Sequence, residues 1–379
     1  MTPRPSGWSL LVLVLLPLAA VHAAEEPVDF ARARQYLERR QRGESLNPDE
    51  EAYLRRAMAE RQRQQGGGRK APAPPPPWTQ SLTPLNELRN ARYKGEDGGL
   101  YGGGQNVAPP AHAAAARRLA AEVRPRDASG QPADDGKIAL ISVGMSNTTQ
   151  EFSRFLALAN ADAAKSPRVV LVDCAQGGQT AMRWADPAAA LWSQVDQRLR
   201  AAGVTALQVQ VAWVKHAEAG PAQYGEFPHH ARQLQGNIAR SLALLKERFP
   251  NLRLAYLSSR IYAGYATTGL NPEPYAYESA FAVRWLIRDQ LEGRAELNGD
   301  PAQGPVRVPL LLWGPYLWAD GSRARAGDGL SYLREDLSPQ DGTHPSELGR
   351  RKVAEQLLTF FKTDATARTW FLAVPRTPP

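Results

Sequence analysis

Two short stretches of this chain hold the residue types needed for nucleophilic chemistry. Ser146 stands in Gly144-Met145-Ser146-Asn147, after the apolar run Ile138–Val143 and shortly before a helical pattern that starts at Glu151. This order predicts a strand, a tight turn and a helix, with the serine at the strand's carboxyl end. Free N–H groups at a helix N-terminus can stabilise an oxyanion there, although Ser146 or Thr148 would also serve as a plain helix cap. Much later, Asp341-Gly-Thr-His344-Pro345 puts a carboxylate and an imidazole into one turn. The carboxylate can hold one ring nitrogen while the other faces a cleft, which supplies the base that a serine nucleophile requires. The other histidines beyond the leader are His112, His216, His229 and His230. The adjacent pair His229-His230 reads as a helix start, because neighbouring side chains diverge and no further ligand has metal-site spacing. No metal and no cofactor is expected.

The elements that must position these residues follow from periodicity. From Lys137 onward, apolar runs alternate with amphipathic segments. Strands are predicted at 138–143, 168–173, 206–213, 252–258 and 308–313. Helices are predicted at 151–164, 187–202, 230–248 and 274–291, with a last one at 345–361. Such alternation implies an α/β fold, a flavodoxin-like three-layer α/β/α sandwich around a five-stranded parallel sheet with right-handed crossovers. Ligands in such folds bind at the carboxyl ends of the strands, where both stretches fall.

Composition sets the remaining bounds. The chain has 379 residues, 43% of them apolar, enough to bury at least one large core. Residues 1–24 read as a signal peptide, with Arg4 ahead of an apolar run and small residues at its end, so the protein is expected to be secreted or periplasmic. No other stretch is long enough to span a bilayer as a helix. Residues 25–65 form a polar helical extension in which Asn47-Pro48-Asp49-Glu50 is a helix start, and 66–78 are a Gly- and Pro-rich linker. Residues 79–136 are a loop-rich lead-in to the catalytic domain at 137–363, and 364–379 a tail. The glycine cluster at 98–104 follows no strand and opens no helix at the offset a phosphate loop needs, so it reads as a surface loop. A net charge of +8 arises from scattered arginines without interleaved aromatics, so no nucleic-acid partner is implied. The single cysteine, Cys174, is read as a small buried hydrophobe.

With these residues in hand, the chain resembles the SGNH hydrolases, also called GDSL esterases and lipases, over about 137–361. Gly144-Met145-Ser146-Asn147 is similar to the Gly-x-Ser-Asn form of carbohydrate acetylesterases, with Met145 where glutamine is usual. Gln176-Gly177-Gly178-Gln179-Thr180 resembles the oxyanion-hole block, and Asp341/His344 matches the final Asp-x-x-His block. The resemblance implies a catalytic triad of Ser146, His344 and Asp341, with the Ser146 and Gly178 N–H groups as oxyanion donors. One block departs: where the family offers Gly-x-Asn-Asp or Gln-Gly-Glu, this chain has Trp213-Val-Lys-His-Ala-Glu218. Lys215 or His216 is expected to fill the missing donor's role, with Lys215 preferred.

These readings imply an exported serine esterase for acyl, chiefly acetyl, esters of carbohydrates or another small ester. Asn147, Gly177, Trp213 and His216 line the substrate site in this reading, and Trp184, Trp213, Trp313 and Trp318 near strand ends would offer faces to sugars. Two other readings stay open: an O-acyltransferase using the same triad, or a catalytically silent carbohydrate-binding or scaffold protein whose N-terminal helices dock a protein partner.

Overall fold

The computed structural model describes residues 28–41, 46–54, 56–57, 82–321 and 323–373, so the expected leader, the linker at 66–78 and the last six residues lie outside the described parts. The chain divides into Met1–Ala71 and Pro72–Pro379. In the first unit, helix α1 (Phe30–Gln41) and a helical stretch from residue 48 share a small cluster of Ala33, Leu54 and Ala57. Asn47 and Glu50 cap each other reciprocally: Glu50 N–H donates to Asn47 Oδ1 (2.9 Å) and Asn47 N–H to Glu50 Oε2 (3.0 Å). This satisfies two otherwise orphaned donors.

The second unit is built on a five-stranded parallel sheet. Its strands are β1 (Ile138–Gly144), β2 (Val169–Val172), β3 (Val209–Lys215), β4 (Leu254–Leu257) and β5 (Leu310–Trp313), in the spatial order β2-β1-β3-β4-β5. All seven residues of β1 and all seven of β3 are buried, which explains why they read as mostly apolar runs, broken only by Ser142, Gln210 and Lys215, and not as alternation. The order reverses between β1 and β2. With right-handed crossovers, the first connecting helix therefore lies on one face of the sheet and the later ones on the other.

The long helices of this unit are α2 (Pro110–Ala121), α3 (Ser146–Ala161), α4 (Leu191–Ala201), α5 (His229–Arg248), α6 (Tyr275–Leu291) and α7 (Glu347–Thr363). Helix α3 packs on α7, and α5 packs on α6. Phe152 of α3 stacks on Trp213 of β3 with ring centroids 5.9 Å apart, fixing that helix to the middle of the sheet. Two stretches are more integrated than their composition suggested. The lead-in sends Leu85, Ala116 and Leu119 into the main core and His112 Nε2 to Leu311 O at 2.8 Å. The tail buries Trp370 and Phe371, the latter against Phe155 and Phe361.

Some boundaries differ from the periodicity. Residues Ala206–Gln208 form a 3-10 turn capped by Thr205 and Gln208, so β3 starts three residues late and runs on through Lys215. Helix α3 starts at Ser146 and not at Glu151, because Asn147, Thr148 and Thr149 are poor helix formers that here find side-chain partners. The glycine cluster is a turn held by the Gly103 N–H donating to Asp97 Oδ2 (2.6 Å).

A tight point of the fold next to the serine is Gly144, which pairs with Lys215 in the β1/β3 ladder. Its φ is +154°, and a Cβ placed there would sit 2.3 Å from the Lys215 carbonyl oxygen and 2.4 Å from Thr148 Oγ1. Gly144→Ala is therefore expected to lower unfolding free energy by about 1–3 kcal/mol, as overpacked cores do, read from urea denaturation.

Candidate active site

Ser146 is the first residue of α3, reached through the Gly144 turn, and its hydroxyl is half-buried. Two chains of hydrogen bonds hold the turn. The Gly144 carbonyl accepts from Gln176 N–H (3.1 Å) and Trp184 Nε1–H (3.2 Å). On the other side, Thr148 Oγ1–H donates to the Lys215 carbonyl at 2.7 Å. Asp173, just past β2, gathers three hydroxyls: Ser142 (2.5 Å), Ser153 (3.0 Å) and Thr149. Burial raises the Asp173 carboxyl above its usual range, and these hydroxyl donors oppose that rise.

The Asp341–His344 turn meets the serine from across the sheet end. Ser146 Oγ lies 2.7 Å from His344 Nε2, and His344 Nδ1 lies 2.5 Å from Asp341 Oδ2. Asp341 Oδ1 accepts from the backbone N–H groups of Thr343 (2.9 Å) and His344 (3.0 Å). Partial burial works to raise the Asp341 carboxyl, but the His344 ring and these two N–H groups outweigh it and hold the group well below the usual carboxylate range. An ionised Asp341 only accepts, so His344 Nδ1 carries a proton; in the neutral ring Nε2 is then the acceptor for the Ser146 hydroxyl. Asn147 Nδ2–H donates to Thr343 O at 3.0 Å and is itself buried, so its side chain ties the two turns together instead of facing a substrate.

The Gly177-Gly178 turn borders the serine: a Cβ on Gly177 would lie 3.9 Å from Ser146 Cβ. Gly178 has φ +76°, a conformation that favours glycine. Gln176 and Gln179 N–H groups have backbone acceptors, whereas among the described residues those of Gly177 and Gly178 have none. With the unpaired first-turn N–H groups of α3, they are the available donors beside Ser146.

The two side chains expected to complete the donor set are engaged elsewhere. The Lys215 ammonium donates to both carboxylate oxygens of Glu151, at 2.6 and 2.5 Å, and both side chains are essentially unexposed. Burial draws Lys215 down to about 8 and pushes Glu151 up, while the attraction between them opposes both shifts. His216 is buried beside Trp184, with Nε2 3.2 Å from Ser241 Oγ, and burial lowers its pKa to about 3, so it is neutral. Neither is free to meet an oxyanion at Ser146. The tryptophan platform is likewise corrected. Trp184, Trp213, Trp313 and Trp318 are all buried, and Trp213 stacks on Phe152 with its Nε1–H on Ser258 Oγ (3.0 Å). Large rings near strand ends are here core, because helices cover both faces.

No protein-family model and no curated protein matches the chain. Solved structures with some likeness include a candidate acylhydrolase from Bacteroides fragilis NCTC 9343, at 15% identity and TM-score 0.35, covering 70% of this chain and 100% of that one. A salicylyl-acyltransferase from a tetracycline biosynthetic pathway has 15% identity and TM-score 0.34, with 61% of this chain and 55% of the other covered. A gut microbial diltiazem-metabolizing enzyme has 12% identity and TM-score 0.31, with 59% and 46% covered. The chain thus spans about half of the latter two. Likenesses at this level carry no weight beside the hydrogen-bond geometry.

Among the described residues no group of three or more His, Cys, Asp or Glu could hold a metal ion, and no helix is long and apolar enough to cross a membrane. His230 is buried against Glu278 at 2.6 Å, while His229 is exposed. Cys174 is fully buried, and burial pushes its thiol up, away from the reactive thiolate. Thr148, read as a possible helix cap, instead bonds the Lys215 carbonyl, and the residues that the sequence reading gave no part in the site are Glu151, Asp173 and Arg260. The last is 3% exposed, and its Nε and one Nη have no partner among the described residues. A signal existed for Glu151, since an apolar strand ending in lysine asks for a buried acid nearby.

Two outcomes are expected. Lys215→Met leaves the Glu151 carboxylate buried and unpaired and should cost about 3–5 kcal/mol of stability. Lys215→Met with Glu151→Leu should recover most of it, compared by chemical denaturation. His216 has a folded-state pKa depressed from 6.5 to about 3, so its contribution to stability is present above pH 6.5 and is lost as the pH falls through that window. His216→Gln, which keeps a donor for Ser241, should therefore lose less stability than the parent between pH 7 and pH 4, measured as the difference in urea midpoints.

Proposed function

We propose that the protein is an exported serine esterase that hydrolyses acyl esters, chiefly acetyl esters of carbohydrates, with Ser146 as nucleophile, His344 as general base and acid, and Asp341 as the group that orients the imidazole and stabilises its charged form. The observation that carries the reading is the 2.7 Å contact between Ser146 Oγ and His344 Nε2, with Asp341 on the ring's other nitrogen. In the first step the Ser146 proton passes to His344 Nε2 as Oγ bonds to the ester carbonyl carbon. Collapse of the tetrahedral species breaks the carbon–oxygen bond to the alcohol, which leaves with the proton from Nε2. Water then gives its proton to Nε2 and its oxygen to the acyl carbon, and Ser146 recovers its proton as the acid departs. The Ser146 and Gly178 N–H groups, with Gly177 N–H beside them, face the developing oxyanion in this reading, and each such donor is worth about 3 kcal/mol in the transition state. A third donor from Lys215 is not required.

The sugar half of the proposal rests on the Ser-Asn block and the leader-like segment, and not on aromatic faces. The silent-scaffold reading is disfavoured, since a serine, an imidazole and an ionised carboxylate in one hydrogen-bonded line have no evident structural duty. Ser146→Ala should abolish hydrolysis of p-nitrophenyl acetate and labelling by a fluorophosphonate, with the fold intact by circular dichroism. Asp341→Asn should lower kcat by about ten-thousandfold through the wrong tautomer. A Ser146→Ala protein that keeps its turnover sinks the assignment, and product that forms only when an acceptor sugar is present makes the protein an acyltransferase.

A further inference from the structure

Serine esterases release the alcohol on the side of the imidazole that protonates it, so the surface next to His344 must hold the leaving group. A pocket of about 430 Å³ opens there, walled by His344 and Asp341 and completed by Gln150 of α3, the 338–340 turn and the first turn of α7. That volume lies within the about 300–1,000 Å³ of ligand sites. A larger recess, about 620 Å³, lies along α7 and the 328–331 loop but touches none of the three residues of the proposed triad. The smaller pocket is the one that the chemistry can use.

Its lining differs from an acyl-chain pocket. Apart from Pro339 and Pro345, every wall residue carries a polar side chain. Two of these offer unused hydrogen-bonding capacity. Gln150 Oε1 is buried and has no donor among the described residues, an acceptor whose desolvation is uncompensated. Arg350 engages only its Nε, on the Pro345 carbonyl at 3.2 Å, and among the described residues no carboxylate lies against its guanidinium. The acids that share the pocket are already matched: Asp341 with His344, and Glu347 with Arg154 at 3.3 Å. Across the pocket the negative charge of Asp341 and the positive charge of Arg350 oppose each other, so the walls present an unpartnered amide and an open set of donors with little net field. This suits a neutral group bearing several hydroxyls better than an anion or a hydrocarbon.

We infer that this pocket seats the alcohol half of the ester, a sugar ring, and that Gln150 and Arg350 determine specificity for it by accepting from and donating to its hydroxyls. The inference rests on the serine esterase reading and adds to it where the sugar lies. The exocyclic ester oxygen on the sugar ring, which becomes the free hydroxyl, points at His344 Nε2 and takes its proton as the bond to the acyl carbon breaks.

The test compares an acetylated xylo-oligosaccharide with p-nitrophenyl acetate, which lacks hydroxyls, on the parent and on Gln150→Ala, Arg350→Ala and Arg350→Lys. Both rates come from one preparation, so losses in folding cancel in their ratio. In each alanine variant the ratio of kcat/KM for the sugar ester to that for the aryl ester should fall about tenfold or more, mainly through KM, with Arg350→Lys in between. Ratios within twofold of the parent in both alanine variants overturn the inference, as does a parent enzyme that cleaves p-nitrophenyl acetate and leaves the sugar ester intact. Failure of the esterase reading itself looks different, because Ser146→Ala would then turn over both substrates.

Discussion

The close approach of Gly144 to the Lys215 carbonyl is the constraint on which the rest of this structure depends. Two central strands end side by side there, and the chain must leave β1, turn and start a helix in a space with no room for a side chain. Because the turn is so tight, Ser146 becomes the first residue of α3 and its hydroxyl is lifted above the sheet end. The same crowding brings Thr148 onto the Lys215 carbonyl and Trp184 onto the Gly144 carbonyl, so the backbone at Ser146 is held from both sides. A rigid elbow of this kind positions a reactive atom before any ligand arrives, the condition under which preorganised dipoles are most useful.

Beneath the elbow, the chain departs from the pattern it resembles and a different device occupies the space. Lys215 reaches back into the protein, where Glu151 of α3 meets it. A buried ion pair of this sort is seldom a net source of stability, since removing two charges from water offsets most of their attraction. What it adds is specificity of placement: the strand end and the helix fit together in one register, and a slip by either would leave a charge stranded.

The fold was legible because its signals are local and redundant. Strand 138–144 is apolar apart from Ser142, and 209–215 apart from Gln210 and Lys215, and only buried parallel strands or buried helices look like that. The pairing of Ser146 with His344 was legible for another reason, since Ser146 directly follows β1, His344 lies in the segment between the last strand and the last long helix, and parallel sheets bring strand ends to one edge. Errors arose wherever a side chain had more than one plausible direction. Lys215, His216 and Trp213 occupy the expected backbone positions, yet all three turn inward, because partners contributed by other segments (Glu151, Ser241 and Ser258) wait there. Beyond the lysine's need for a buried acid, nothing in the sequence near 213–216 reveals which residues those partners are. The tail was misjudged similarly, since Trp370 and Phe371 lie in a polar stretch whose docking depends on Phe155 and Phe361.

The contact between Ser146 and His344 closes a loop of 198 residues, and Asn147 fastens the same loop through Thr343. Closures of that length are made late, after shorter-range pairings have reduced the entropy they must overcome. During synthesis the histidine leaves the ribosome long after the serine, so the growing polypeptide carries a bare hydroxyl at Ser146 until the segment around His344 has followed. The hydrolytic capacity proposed for this protein would consequently be absent from every nascent intermediate and would emerge in one step with the finished fold.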